Sequence, residues 1–282
     1  MGMIEAAGAR FGYDEAGNGP AVVLLHAGIA DRRMWDRQFA ALARHHRVIR
    51  YDRRGHGESV PVEGTVSHHH DLLAVMSALG VDRAALVGSS MGGAYALDAA
   101  LAAPDRVESL ALIGSGLSGH EWPEPMASDS REAMLAAVPV EDLKRYLDHT
   151  ADHVDEAHVR AVAEANVRYL VVGPHRTPDA VDPRFYVQAL EMCADVYRRE
   201  WTEPKWTEDV PDTRHRLGEI TAPTLVLIGL EDGSGLLELA DRFTTEIPGA
   251  RRLDLPDTGH LPPLERPAEV TEALQDWLRK PT

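Results

Sequence analysis

A single cysteine, Cys193, stands in 282 residues, so no internal disulfide can form and a reducing, cytoplasmic setting is expected. No apolar run approaches the eighteen residues that would mark a transmembrane helix. The first ten residues hold no basic stretch followed by an apolar segment, so no secretory signal is expected there. Positive charge is scarce: 29 Lys/Arg face 45 Asp/Glu, a formal net charge of −16. Nucleic acid is therefore not an expected partner, because its phosphates need clustered Lys and Arg to neutralise them. Metal-ligand spacings are missing too, although there are fourteen histidines. Side chains of His68, His69 and His70 would point about 100° apart on a helix and cannot all reach one ion. His149 and His153 could share a helix face near Asp152, but no third ligand follows with a zinc spacing. No metal and no cofactor is expected.

What is present is an alternation of short apolar runs with helix-like stretches. The runs are Ala21 to Leu25, Val48 to Tyr51, Ala84 to Val87 and Ser109 to Ile113, each leading into a loop, as buried strands do. Between them lie Met34 to Ala43, His69 to Leu79 and Met91 to Ala103, the last stopped by Pro104. Runs around Ile4 and Phe11 fit an antiparallel hairpin at a sheet edge. Such alternation implies right-handed crossovers and a mostly parallel sheet covered on both faces. From about residue 118 to 216 the strands disappear. Helix starts are expected there at Ser128, at Asp152 and at Asp182 ahead of Pro183. That segment carries twelve Lys/Arg against twenty Asp/Glu. Strands resume at Thr224 to Ile228 and Arg252 to Leu255, with helices at Leu236 to Glu246 and Pro267 to Arg279. The expected organisation is a core (1–117), an inserted helical lid (118–216) and the remainder of the core (217–282).

The strongest chemical signal is Gly88-Ser89-Ser90-Met91-Gly92, directly after a buried strand and directly before a helix. A turn this tight exposes the serine oxygen at the C-terminal edge of the sheet. A nucleophilic serine needs a base, and the base needs an acid to orient it. His260, in Asp257-Thr258-Gly259-His260-Leu261, follows the last expected strand and so lies at the same edge. Asp232 follows the strand before it, with Glu231 as its neighbour and rival. Acyl transfer also needs donors for the developing oxyanion. The Met91 N–H should supply one, and the loop His26-Ala27-Gly28-Ile29 the other.

These segments, with His26 to Trp35, Tyr51-Asp52-Arg53-Arg54-Gly55-His56-Gly57-Glu58-Ser59, Thr221 to Asp232 and Gly259 to Pro267, resemble the α/β-hydrolase superfamily over about two-thirds of the chain. The branch resembled holds enol-lactonases, carbon–carbon bond hydrolases of ring-cleavage products and haloperoxidase-like esterases. The resemblance implies an eight-stranded α/β-hydrolase sheet and a Ser90, Asp232, His260 triad. It implies hydrolysis of a small ester or lactone; without a long apolar run, no membrane partner is expected. Where the family usually has His-Gly, this chain has His26-Ala27; aligning on Trp35 gives the second oxyanion donor to Gly28, with Ile29 as the alternative. Ile29, Trp122 and Leu261 are the expected substrate contacts. A carbon–carbon bond hydrolase, a lyase or cyclase, and a ligand-binding protein are the other expectations for the same fold.

Overall fold

A computed structural model describes residues 2–60, 64–122 and 132–279. Its organising constraint is a set of strands apolar on both faces, which can be stable only if helices cover both sides. These are β3 (Ala21–Leu25), β4 (Arg47–Tyr51), β6 (Ala84–Ser89), β7 (Val107–Ile113) and β9 (Thr224–Gly229). With β1 (Gly2–Ala6), β2 (Ala9–Ala16) and β10 (Arg251–Leu255) they form one eight-stranded sheet in the order β1-β2-β4-β3-β6-β7-β9-β10. The expected N-terminal hairpin is β1–β2; it joins β4 antiparallel, and the remaining pairings are parallel.

Because strand side chains alternate, the same strands build two cores. Val23, Leu25, Ile49, Leu86 and Val226 face α2 (His68–Ala78), α3 (Met91–Ala102) and α7 (Ser234–Glu246) through Leu72, Ala96 and Leu239. Val22, Leu24, Val48, Val87 and Leu227 face α1 (Asp36–Leu42) and α8 (Pro267–Leu278) through Leu42 and Leu274. The stretch Met34 to Ala43, expected as one helix, is divided: a 3₁₀ turn at Arg32–Trp35, capped by Asp31, precedes α1.

Between β7 and β9 come α4 (Val140–Leu147), α5 (Glu156–Asn166), a π-helical turn at Val167–Val172, and α6 (Pro183–Thr202). Val138, Leu143, Tyr146, Val159, Val162 and Trp201 give this insertion its own small core. Asp182 caps α6 as expected, accepting the Arg184 N–H at 2.8 Å. The helix expected to start at Asp152 starts at Glu156 instead. Asp155 takes the cap there, accepting the Ala157 N–H at 2.8 Å. The helix start at Ser128 lies outside the described residues. One strand was not anticipated in this segment: β8 (Trp206–Glu208) pairs in parallel with β5 (Gly64–Val66). Among the described residues no helix is long and apolar enough to cross a membrane.

Both crossings into the insertion meet at Asp98 on α3. Asp98 is 2% exposed, accepts the Ser118 hydroxyl at 2.7 Å, and the Thr213 N–H in turn reaches the Ser118 carbonyl at 3.4 Å. Burial pushes its carboxyl up to about 7, against the hydrogen bonds from Ser118 and Thr213. A carboxyl raised on folding contributes stability fully below its unfolded value of 3.8 and loses it as pH rises through about 7. Asp98→Asn should therefore raise the melting temperature at pH 8 by about 3–6 °C and change it little at pH 4. Thermal unfolding followed by circular dichroism at the two pH values tests this; an equal change at both would contradict it.

Candidate active site

Ser90 sits between β6 and α3 with φ 53° and ψ −121°, a conformation that side chains rarely adopt. The flanking glycines make it possible. A Cβ at Gly88 would lie 2.3 Å from the Gly92 carbonyl oxygen, and one at Gly92 would lie 2.4 Å from the Leu25 oxygen. Backbone bonds then fix the turn: the Ser90 N–H donates to the Ile113 carbonyl at 3.0 Å, and the Ser90 carbonyl accepts from Gly93 and Gly116.

The structure brings three of the expected residues together. His260 Nε2 lies 2.8 Å from Ser90 Oγ, and His260 Nδ1 lies 2.7 Å from Asp232 Oδ2. The imidazole and the Asp232 carboxylate are both shielded from solvent, while Ser90 is half-buried. Asp232 Oδ1 accepts the Gly233 N–H at 2.7 Å, which holds the carboxylate in place. With Nδ1–H donated to Asp232, Nε2 is left to accept from the serine hydroxyl. Glu231 is half-buried, and its backbone N–H bonds to the Thr258 carbonyl at 2.9 Å; it is Asp232 whose carboxylate reaches His260.

The loop after β3 is held by the loop after β4. His26 is fully buried; its Nε2 accepts the Arg53 N–H at 3.0 Å and its Nδ1 lies 2.8 Å from the Ala27 carbonyl. His56 Nε2 lies 3.0 Å from the Gly28 carbonyl. Burial, and then the Arg53 guanidinium, pushes the His56 imidazole down to about 3, so it stays neutral at ordinary pH. Gly28 packs against Met91, whose Cγ would be 3.2 Å from an added Cβ. The amides of Gly28, Ile29 and Met91 donate to no partner among the described residues.

The expected substrate contacts are dispersed. Ile29 is half-buried at the edge of the second core. Trp122 is 38% exposed and meets the His120 ring edge-on at 5.0 Å. Leu261 has no exposed surface and packs among Val270 and Leu274 of the second core. Neither ring nitrogen of His68 has a hydrogen-bond partner among the described residues; the ring packs 4.7 Å from Tyr95 and 5.6 Å from Trp206, and burial pushes it down to about 2. Among the described residues, no three His, Cys, Asp or Glu side chains are grouped to hold a metal. Cys193 is buried in α6 and its thiol is pushed up to about 12, which removes it as a nucleophile.

Sequence reasoning missed the π-helical turn. The His260 N–H donates to the Leu170 carbonyl at 3.3 Å, and a Cβ at Gly259 would sit 2.2 Å from the Val171 oxygen. Just beyond, a Cβ at Gly173 (φ +104°) would sit 2.3 Å from the Glu231 oxygen. The insertion thus rests on the backbone of both the His260 and Asp232 loops. The available signal was Gly173 closing an apolar helical run.

Residues 20–267 match the family described as the alpha/beta hydrolase fold, and the chain belongs to it. It is similar to 3-oxoadipate enol-lactonase 1 of Acinetobacter baylyi, 25% identical over 264 residues, 93% of this chain and 90% of that protein. It is also similar to 2-hydroxy-6-oxo-6-(2'-aminophenyl)hexa-2,4-dienoic acid hydrolase of Metapseudomonas resinovorans. That match is 28% identical over 292 residues, 99% of this chain and 90% of that protein. Among solved structures, a thermophilic esterase from Thermogutta terrifontis matches with a TM-score of 0.75 and 26% identity, covering 98% of this chain and 97% of that one. The protein is a hydrolase of this fold.

The Gly173 contact gives a direct expectation. Gly173→Ala forces both a strained φ and a clash with the Glu231 carbonyl, and should cost about 1–3 kcal/mol of stability. Urea unfolding measures it; a midpoint equal to wild type would mean that the insertion does not press on the Asp232 loop.

Proposed function

We propose that this hydrolase cleaves a small carboxylic ester or lactone through an acyl-enzyme. Ser90 acts as nucleophile, His260 as base and Asp232 as orienting acid. The observation that supports this is the unbroken chain from Ser90 Oγ through the imidazole to the Asp232 carboxylate, at 2.8 and 2.7 Å. Ser90 attacks the carbonyl carbon as its proton passes to His260 Nε2. The tetrahedral oxyanion accepts hydrogen bonds from the Met91 N–H and from Gly28 or Ile29. Collapse expels the alkoxide, which takes the proton from His260; a water then attacks the acyl carbon with His260 again as base, releasing the acid and Ser90. The scheme needs no cofactor. An alkyl-enzyme mechanism would need a carboxylate at position 90, where this chain has serine.

In this reading residues 118–216 form the lid over the core segments 1–117 and 217–282, and the lid sets specificity. Its surplus of eight acidic over basic residues repels anions over roughly a Debye length of 8–10 Å, so short neutral esters are the favoured substrates. The single buried cysteine fits a reducing, cytoplasmic setting. Cleavage of a carbon–carbon bond in a diketo acid is the second reading, supported by the name of the Metapseudomonas relative.

Ser90→Ala should keep the fold and lower turnover on the order of 10³-fold or more, and should abolish labelling by a fluorophosphonate. Turnover of p-nitrophenyl acetate above a tenth of wild type would remove Ser90 from the mechanism. Asp232→Asn should cost up to about 10⁴-fold in kcat, because the imidazole settles in the wrong tautomer, whereas Glu231→Gln should cost far less. The reverse ranking would move the acid by one residue. A panel of neutral esters, lactones, dicarboxylate half-esters and a diketo acid separates the two readings. If a half-ester or the diketo acid shows the highest kcat/KM at low salt, the neutral-ester preference is wrong.

A further inference from the structure

We propose that Arg176, acting through Glu265 and the Gly259 amide, is a positioning residue for His260, and that the helical insertion is thereby part of the scaffold of the base. The inference rests on the role assigned to His260 above. The loop after β10 carries the imidazole but has little regular structure of its own. Asp257 within it has φ +51°, and Gly259 admits no Cβ. Its backbone groups are claimed from outside. Glu265 Oε2 accepts the Gly259 N–H at 2.8 Å, one residue before His260. Arg176 donates to Glu265 through both terminal nitrogens, at 2.6 and 3.1 Å, and to the Asp257 carbonyl at 2.8 Å. Its Nε donates to the Val172 carbonyl at 2.6 Å, at the end of the π-helical turn whose Leu170 carbonyl receives the His260 N–H.

The pair is largely out of water, with side chains 11% and 7% exposed. Breaking such a pair strands one charge in a site of low polarisability, so neither partner can be removed silently. The forked guanidinium also matches the carboxylate in two bonds, a geometry that lysine cannot reproduce. A base must meet both Ser90 Oγ and Asp232 Oδ2, and displacement on the order of 1 Å costs about 10²-fold in rate. Clamping the loop from two directions supplies that tolerance.

Charge makes the proposal testable beyond packing. The charged or titratable groups on elements against His260 are Asp232 and Glu231 on the β9 loop, and Asp257, Glu265 and Arg266 on its own loop and the turn after it. From the insertion come Arg168, Tyr169, His175 and Arg176; the Ser90 hydroxyl meets the imidazole from the turn between β6 and α3, and Gly114 at the end of β7 brings no charge. Arg176→Met leaves the Glu265 carboxylate unneutralised beside the base and should stabilise the imidazolium. Glu265→Gln leaves the guanidinium unneutralised and should do the opposite.

The experiment measures kcat, KM and the pH dependence of kcat/KM in Arg176→Met, Arg176→Lys and Glu265→Gln, beside the NMR titration of the His260 imidazole in each. The expected result is a fall in kcat of about 10–10²-fold, with KM changed less than about threefold. The acid limb and the imidazole titration should move up in Arg176→Met and down in Glu265→Gln, by about half a pH unit. Arg176→Lys should restore the limb but only part of kcat. Shifts of the same sign in both neutral variants, or unchanged kcat in a folded Arg176→Met, would overturn the clamp. If Arg176→Met fails to fold, Glu265→Gln and Arg176→Lys decide it alone. A wild type without ester turnover would sink the ester reading, while the titrations would still decide the clamp.

Discussion

The N-terminus of α3 lies so close to β6 and β3 that no side-chain carbon fits between them, and the site follows from that approach. Gly88 faces the Gly92 carbonyl and Gly92 faces the Leu25 carbonyl, each too near for a methyl group. The chain can turn there only through a positive φ at Ser90, and this strain lifts the hydroxyl clear of the sheet. The same approach sets the Met91 amide next to the loop after β3, where the Gly28 and Ile29 amides are also unclaimed among the described residues. Backbone packing, more than any side-chain preference, therefore sets these amides close to the serine turn.

Behind this front a second layer consists of charges that burial obliges to pair. Arg32 bridges Asp14, Asp52 and Glu58, and Arg54 forks onto Asp71 at 2.5 and 2.7 Å, locking the loop after β4. That loop carries Arg53 and His56, which reach the Ala27 and Gly28 carbonyls at 3.5 and 3.0 Å. Order passes from ion pair to loop to the amides that face the site.

The sheet was legible because apolar runs ending in Gly, His or Asp have few other readings. Ala21 to Leu25 is a strand with those same ends, and Met91 begins its helix where the Gly-x-Ser-x-Gly turn requires. Ser90, Asp232 and His260 could be singled out because strand ends on one edge of a parallel sheet are neighbours whatever their separation in sequence. What was hidden depends on tertiary contact. Strands β5 and β8 are three residues each, too short to show a period, and pair across 142 residues of sequence only in the folded chain. Val167 to Val172 holds three valines and a tyrosine, which by composition favour a strand as much as a helix; its carbonyls serve as acceptors for the His260 loop only in the folded chain. Arg176 and Glu265 are 89 residues apart, and nothing local marks either as a partner. Asp152 and Asp155 are equally good caps by residue type, so three-residue errors at that helix start are inherent in the sequence.

The pairing of β5 with β8 has a consequence for cooperativity. The return of the insertion is hydrogen-bonded to a segment that belongs to the core, and Asp209 N–H adds a bond to Val66 at 2.8 Å. With the π-helical turn seated on the His260 loop, the insertion is fastened at two well-separated points. A segment fastened in that way can detach only by giving up both sets of contacts. Among the described residues β8 pairs with β5 alone, in a two-stranded sheet apart from the eight-stranded one, so its amides exchange when that pairing opens. Detaching the insertion therefore also frees the Gly64–Val66 segment and the backbone of the His260 loop.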